Sequence, residues 1–173
     1  MAVLDERAAW RSDFEAGWLK TYTETGQLDS ANYNLPRNTT SVAGSGIDLK
    51  SCRLAVISSG GFYLAEQQEP FAEPDMHGRY DIRELPITTP AESYAISHTH
   101  YDHSAANEDR QVLLPIGHLN TMVEAGELGL LAPNIVSFMG YQPDVTRVID
   151  ETVPAVLAAT QAMGANSALL IPA

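Results

Sequence analysis

Four short apolar runs frame this chain: "RLAVIS" (53–58), "SYAIS" (93–97), "NIVSFMG" (134–140) and "SALLIPA" (167–173). They are rich in aliphatic and β-branched residues, and most of them run into Gly, Ser or His. Strands apolar throughout are buried on both faces, the habit of parallel strands covered by helices. Helical spacing lies between several of them. The pattern therefore predicts a three-layer α/β domain with a mainly parallel sheet and flanking helices.

Trp10, Phe14, Trp18, Leu19 and Tyr22 recur at intervals of three and four within residues 5–22, the stripe of an amphipathic helix. Two tryptophans on one stripe need a surface, either the domain's own core or a neighbouring subunit. Residues 24–51 are rich in Gly, Asn, Thr and Ser and read as irregular, so residues 1–50 form a lead-in to an α/β domain over 51–173. Residues 66–92 read as an acidic loop in which only "IRELPI" is extended. "QVLLP" (111–115) fits a further strand, and 115–125 a short helix stopped by Gly126 in a left-handed conformation. From Asp144 to Met163 the chain reads as helical and closes at Gly164. Pro154 inside it demands a kink or a new helix with proline in its first turn.

Composition narrows function more than fold. The 173 residues carry a net charge of -12, which argues against nucleic acid and anionic membrane, because binding there rests on Lys and Arg. The sequence has no apolar run of membrane-spanning length and no basic leader, so the cytoplasm is the expected location. Cys52 is the single cysteine, which rules out an internal disulfide. Its expected role is that of a small buried apolar residue.

"ISHTHYDH" (96–103) concentrates three of the five histidines. Its spelling, H-x-H-x-D-H, resembles the zinc-binding signature of the metallo-β-lactamase superfamily. His98, His100, Asp102 and His103 would then hold two metals and a hydrolytic hydroxide. That chemistry needs further ligands downstream, and only His118 follows, which weakens this alternative. Among the other polar residues, Asp109 and Glu108 fit turn caps, and His77 and His118 fit the surface.

A longer stretch points elsewhere. "RLAVISSGGFYL", "EPF", "DIRELP", "ISHTHYDHSAANEDRQVLLPIGHLNTMVEAGELGLLAPNIVSFMG" and "GANSALLIPA" resemble, in order and approximate spacing, blocks of the B subunit of glycine, sarcosine and betaine reductases and their D-proline reductase relatives. The recurring core of that pattern falls on Ser97 and His98, Tyr101 and Asp102, Asp109, Pro115 and "FMGY". The resemblance implies an oxidoreductase, or a subunit of a reductase complex, that cleaves a C–N bond next to a carboxylate. A thiol or selenol nucleophile is expected beyond residue 173 or on another chain. Such a chain would take a small carboxylated amine, work with partner reductase subunits or as a homo-oligomer, and use no further cofactor or metal. His98, Tyr101 and Asp102 are the candidate catalytic residues. Ser58, Ser59, Gly60, Gly61 and Ser97 are the candidate substrate-binding residues, because a glycine turn after a buried strand presents backbone N–H groups to an anion. A third reading is a binding or assembly subunit without chemistry of its own.

Overall fold

The computed structural model describes residues 4–39, 46–71, 76–99 and 101–173. His100 lies outside them. The chain opens with α1 (Arg7–Phe14), a wider π-type turn (Glu15–Leu19) and α2 (Lys20–Thr25). A single turn at Leu49–Ser51 leads into β1 (Arg53–Ser58). β2 (Phe62–Leu64), β3 (Ile82–Pro86) and β4 (Tyr94–Ile96) follow, then α3 (Ser104–Glu108) and α4 (Ile116–Glu124). β5 (Leu130–Phe138), α5 (Val145–Arg147), a second π-type turn (Val148–Thr152), α6 (Val153–Ala162) and β6 (Ser167–Ile171) complete it.

The main sheet has the order β3-β5-β1-β6. β1 runs parallel to both β5 and β6, which is the parallel core the apolar runs predict, while β3 joins the edge antiparallel to β5. β2 and β4 form a separate antiparallel pair, with Phe62 opposite Ile96 and Leu64 opposite Tyr94. "SYAIS" does form a strand, but it pairs antiparallel with β2 outside the main sheet, and "FYL" was not expected as a strand because three residues carry little pattern. β5 begins four residues before the predicted run and bulges against β1: Leu54 faces Leu131, but Val56 already faces Ile135. The bulge takes in Pro133, which has no N–H for a ladder.

β1 and the second half of β5 bury both faces because each face has its own cover, while the edge strands β3 and β6 keep exposed positions. Val56, Phe62, Leu64, Leu85 and Ile135 pack on one side with Leu113, Leu114 and Leu119. Ala55, Ile57 and Val136 pack on the other against Ala159 and Met163 of the last helix. Burying side chains of this size stabilises by about 1.5–3 kcal/mol each. "QVLLP" is not a strand. Arg110–Val112 form a single turn capped by Asp109, whose carboxylate accepts from Gln111 N at 2.8 Å, and Leu113 and Leu114 reach the core from it. A short apolar run alone does not separate these outcomes.

The two tryptophans pack within the chain itself. Trp10, Phe14, Trp18 and Tyr22 form a ladder of stacked rings against Val145, and Arg7 and Arg11 both reach Asp150. Each indole N–H is satisfied by a carbonyl of the irregular lead-in, Trp10 by Asn34 at 2.8 Å and Trp18 by Asp29 at 2.7 Å. His77, expected at the surface, is half-buried with its ring edge on Tyr22. Asp144 caps the helical stretch that it was expected to begin, accepting from Thr146 N at 3.0 Å. The stretch continues with helical backbone angles through the π-type turn into α6, so Pro154 lies inside one helical run, directly after the π-type turn that interrupts the regular ladder there. Gly126 and Gly164 close their helices at φ of 68° and 67°. Among the described residues no helix is long and apolar enough to cross a membrane.

Candidate functional site

β1, β5 and β6 run parallel, so their carboxyl ends meet at one tip of the sheet, the place where α/β folds gather ligands. β1 delivers Ser58–Gly61 there, β4 delivers Ser97 and His98, β5 delivers Met139 and Gly140, and β6 delivers Ile171. Backbone bonds tie the four together. Ser59 N donates to Ile171 O at 3.1 Å, Gly61 N to Phe138 O at 3.0 Å, and Ser97 N to Gly61 O at 3.0 Å.

His98 is buried, only 5% exposed, because two glycines make room for it. A Cβ on Gly61, whose φ is +66°, would stand 3.0 Å from His98 N and 3.1 Å from its Cβ. One on Gly140 would stand 2.8 Å from His98 Nε2 and 3.0 Å from Ser59 O. Tyr101 closes the third side. Its ring meets that of His98 edge-on at 5.0 Å, and its hydroxyl donates to Gly60 O at 3.3 Å. Burial pushes the Tyr101 phenol up, so it remains a donor at neutral pH.

The structure thus brings together Ser58, Ser59, Gly60, Gly61, Ser97, His98 and Tyr101, and turns Asp102 away. Asp102 is exposed and accepts from Ser104 N at 2.9 Å and Ser104 Oγ at 2.8 Å, in the turn that leads into α3. Those two bonds, the backbone one first, hold its carboxyl below the usual range. His103 stacks edge-on against Tyr101 at 4.5 Å, its Nε2 buried without a hydrogen-bond partner among the described residues. No three His, Cys, Asp or Glu side chains among those residues gather around a point that a metal ion would occupy. His118 is exposed on α4, its backbone N–H held by Gln111 Oε1 at 3.0 Å.

The serines have internal duties as well. Ser58 Oγ accepts from Gly60 N at 3.2 Å and so shapes the turn. Ser59 Oγ accepts from Ala173 N at 2.9 Å. Ser97 Oγ accepts from Phe71 N at 3.1 Å, and the Phe71 ring carries the Arg83 guanidinium at 4.4 Å. Arg83 in turn pairs with Asp81, as does Arg79. The acidic loop is therefore anchored to the site by Phe71 and Arg83, a link that no local pattern signals.

Burial pushes the Asp81 carboxyl up, but the hydrogen bonds from Arg79 and Arg83 outweigh it and leave it below the ordinary value. A carboxyl lowered on folding stabilises above its unfolded pKa of about 3.9, and the contribution is lost as pH falls through the folded value. Asp81→Asn is expected to flatten the acid limb of a stability-against-pH curve by at most about 1 kcal/mol after solvent screening. Urea unfolding from pH 7 to pH 3 checks it, and an unchanged limb contradicts it.

Two residues beside the tip escaped the candidate set. Gly140 backs His98, and Tyr141 follows it into a cavity of about 310 Å³ walled also by Trp18, Leu28, Tyr33 and Pro143. The "FMGY" spelling points to the first. Nothing local points to the aromatic wall, because its two halves, Trp18 to Tyr33 and Tyr141 to Pro143, lie more than a hundred positions apart. A larger crevice of about 820 Å³ between the β3–β4 connection and the start of α4 touches none of the tip residues.

The chain is similar to the D-proline reductase subunit gamma of Acetoanaerobium sticklandii, 24% identical over 123 residues, covering 71% of this chain and 49% of that protein. It thus spans about half the length of the curated relative it matches. No solved structure matches. A family profile, glycine/sarcosine/betaine reductase selenoprotein B, matches residues 26–152, which hold all of β1–β5 and every candidate site residue. The chain belongs to the glycine/sarcosine/betaine reductase selenoprotein B family.

Proposed function

We propose that this chain is the substrate-holding part of a reductase that cleaves the C–N bond of a small carboxylated amine. The observation that carries the reading is His98, held between Gly61 and Gly140 at the strand tips beside the Ser58–Gly61 turn. A carboxylate entering there meets the His98 imidazole in a place shielded from water, where such a bond is strong, while the N–H groups of Ser59, Gly60 and Gly61 serve to hold the turn in shape. His98 orients the carboxylate or gives a proton to the departing amine, and Tyr101 fixes the imidazole's position from its edge.

The bond-breaking group is a thiolate or selenolate from outside the described residues, on a partner subunit or a further segment. Its electron pair forms the bond to the substrate carbon, while the C–N pair leaves with the amine, which takes up a proton. A second thiolate then attacks the sulfur or selenium of the adduct, forming a disulfide or selenosulfide, and the substrate carbon leaves with the bonding pair and takes up a proton. Membership in a family of reductase subunits, and the name of the D-proline reductase relative, support this division of labour between chains.

The test is binding to the purified chain by calorimetry, with glycine, trimethylglycine and D-proline as probes. His98→Gln is expected to weaken the preferred probe by about tenfold or more, the loss typical of a hydrogen bond to a charged group, with the circular dichroism unchanged. Equal affinities for the variant and the parent would overturn the role given to His98.

A further inference from the structure

The last helix and the last strand carry no charged side chain. Every Lys, Arg, Asp and Glu of the chain lies at or before Glu151, so α6 and β6 form a charge-free flank on a protein whose net charge is -12. Much of that flank is apolar and open to solvent. Leu170 is 70% exposed, and Val153 and Leu157, one turn apart on α6, are each 53% exposed. Ala158, Ala162 and Ala168 are exposed as well. A helix that is apolar on every side is ordinarily a buried one, so α6 lacks a cover on its outer face.

The register of the sheet shows where the flank is incomplete. Ala168 stands beside Ala55 and Leu170 beside Ile57, and residues paired laterally in a sheet point to the same face. Ala55 and Ile57 lie under Ala159 and Met163, with Val136 of β5 next to them. α6 therefore covers β1 and β5 and leaves the place beside it, over β6, open. That place fits another helix of the same size. The ten residues of α6 rise about 15 Å and the five of β6 about 17 Å, so one such helix spans one such strand.

We propose that a second copy of this chain covers the flank, the two copies packing face to face about a two-fold axis with α6 of each lying over β6 of the other. The patch is self-complementary, as a two-fold interface requires: the outer face of the helix in one copy meets the bare face of the strand in its partner. The two helices then share one layer between two sheets. Charge selects the occupant. A second copy brings the same acidic surface, and like charges set against each other oppose association, which a flank without carboxylates avoids. A basic partner, by contrast, has no charge here to pair with. The contact does not depend on what the strand tips bind.

Sedimentation velocity of the purified chain over a range of concentrations, without ligand, tests the proposal. A species of twice the chain mass is expected, in equilibrium with the monomer. Leu157→Glu and Leu170→Glu replace side chains that are already exposed, so the fold does not rest on them, and each is expected to weaken the dimer at least about tenfold with the circular dichroism unchanged. Val112→Glu is the control. It lies in the turn before α4, on the opposite face of the sheet and 56% exposed, and is expected to leave the dimer intact. A parent that stays monomeric throughout overturns the proposal, and so does a dimer that survives both flank variants or yields equally to Val112→Glu. Loss of the dimer in only one of the two flank variants overturns the packing of α6 on β6.

Discussion

Replacing Gly78 by alanine is expected to destabilise the protein by about 3 kcal/mol or more, lowering Tm by roughly 6–12 °C. Two costs add. Gly78 has φ of +75°, where an L side chain is strained, and its Cβ would stand 2.2 Å from Tyr141 O, a backbone atom. That carbonyl has little freedom to retreat. Gln142 Nε2 donates to Arg79 O at 2.8 Å and to Thr152 Oγ at 2.9 Å, Tyr33 holds Pro143 O, and Tyr22 reaches Met76 O, so the loop and the 141–143 segment are laced together. Differential scanning calorimetry reads the effect directly. A loss below about 1 kcal/mol would show that this lacing yields, and that the loop is not fixed against the segment after β5.

Gly140→Ala separates stability from binding. Its Cβ would press on His98 Nε2 at 2.8 Å and on Ser59 O at 3.0 Å. The imidazole is the free end of a side chain and can swing aside, so the stability cost is expected to stay near 1–2 kcal/mol in urea unfolding. The displaced ring no longer faces the Ser58–Gly61 turn, and affinity for the carboxylated amine is expected to fall at least about tenfold. An unchanged affinity would mean that the position of His98 is immaterial to the ligand, and the tip would lose its claim as the binding site.

Both variants act through contacts between residues distant in sequence, and that marks where local reading stopped. "RLAVIS" was legible as a parallel strand because burial on both faces leaves a continuous apolar run, while "SALLI" forms the parallel edge strand β6 although Ala168 and Leu170 stay exposed. That the turn Ser58–Gly61 and Ser97–His98–Tyr101 come together was legible, since small and polar residues follow those strands directly. The fate of Asp102 was not. An Asp two positions before Ser104 serves as a helix cap or a catalytic carboxylate with the same spelling, and only the direction of its side chain decides between them. "QVLLP" failed for a related reason: Leu113 and Leu114 are as buried in a turn as they would be in a strand.

Periodicity, composition and block order can be read along a chain, and they carried the parallel strand β1, the aromatic stripe of the first helix and the family. Tertiary structure alone decided that β3 enters antiparallel, that Gly61 and Gly140 clasp His98 from two different strands, and that Trp18 and Tyr33 reach the cavity at Tyr141. These depend on which surfaces meet when the chain closes. A glycine records in sequence that it has no side chain, but not which neighbour needs the space.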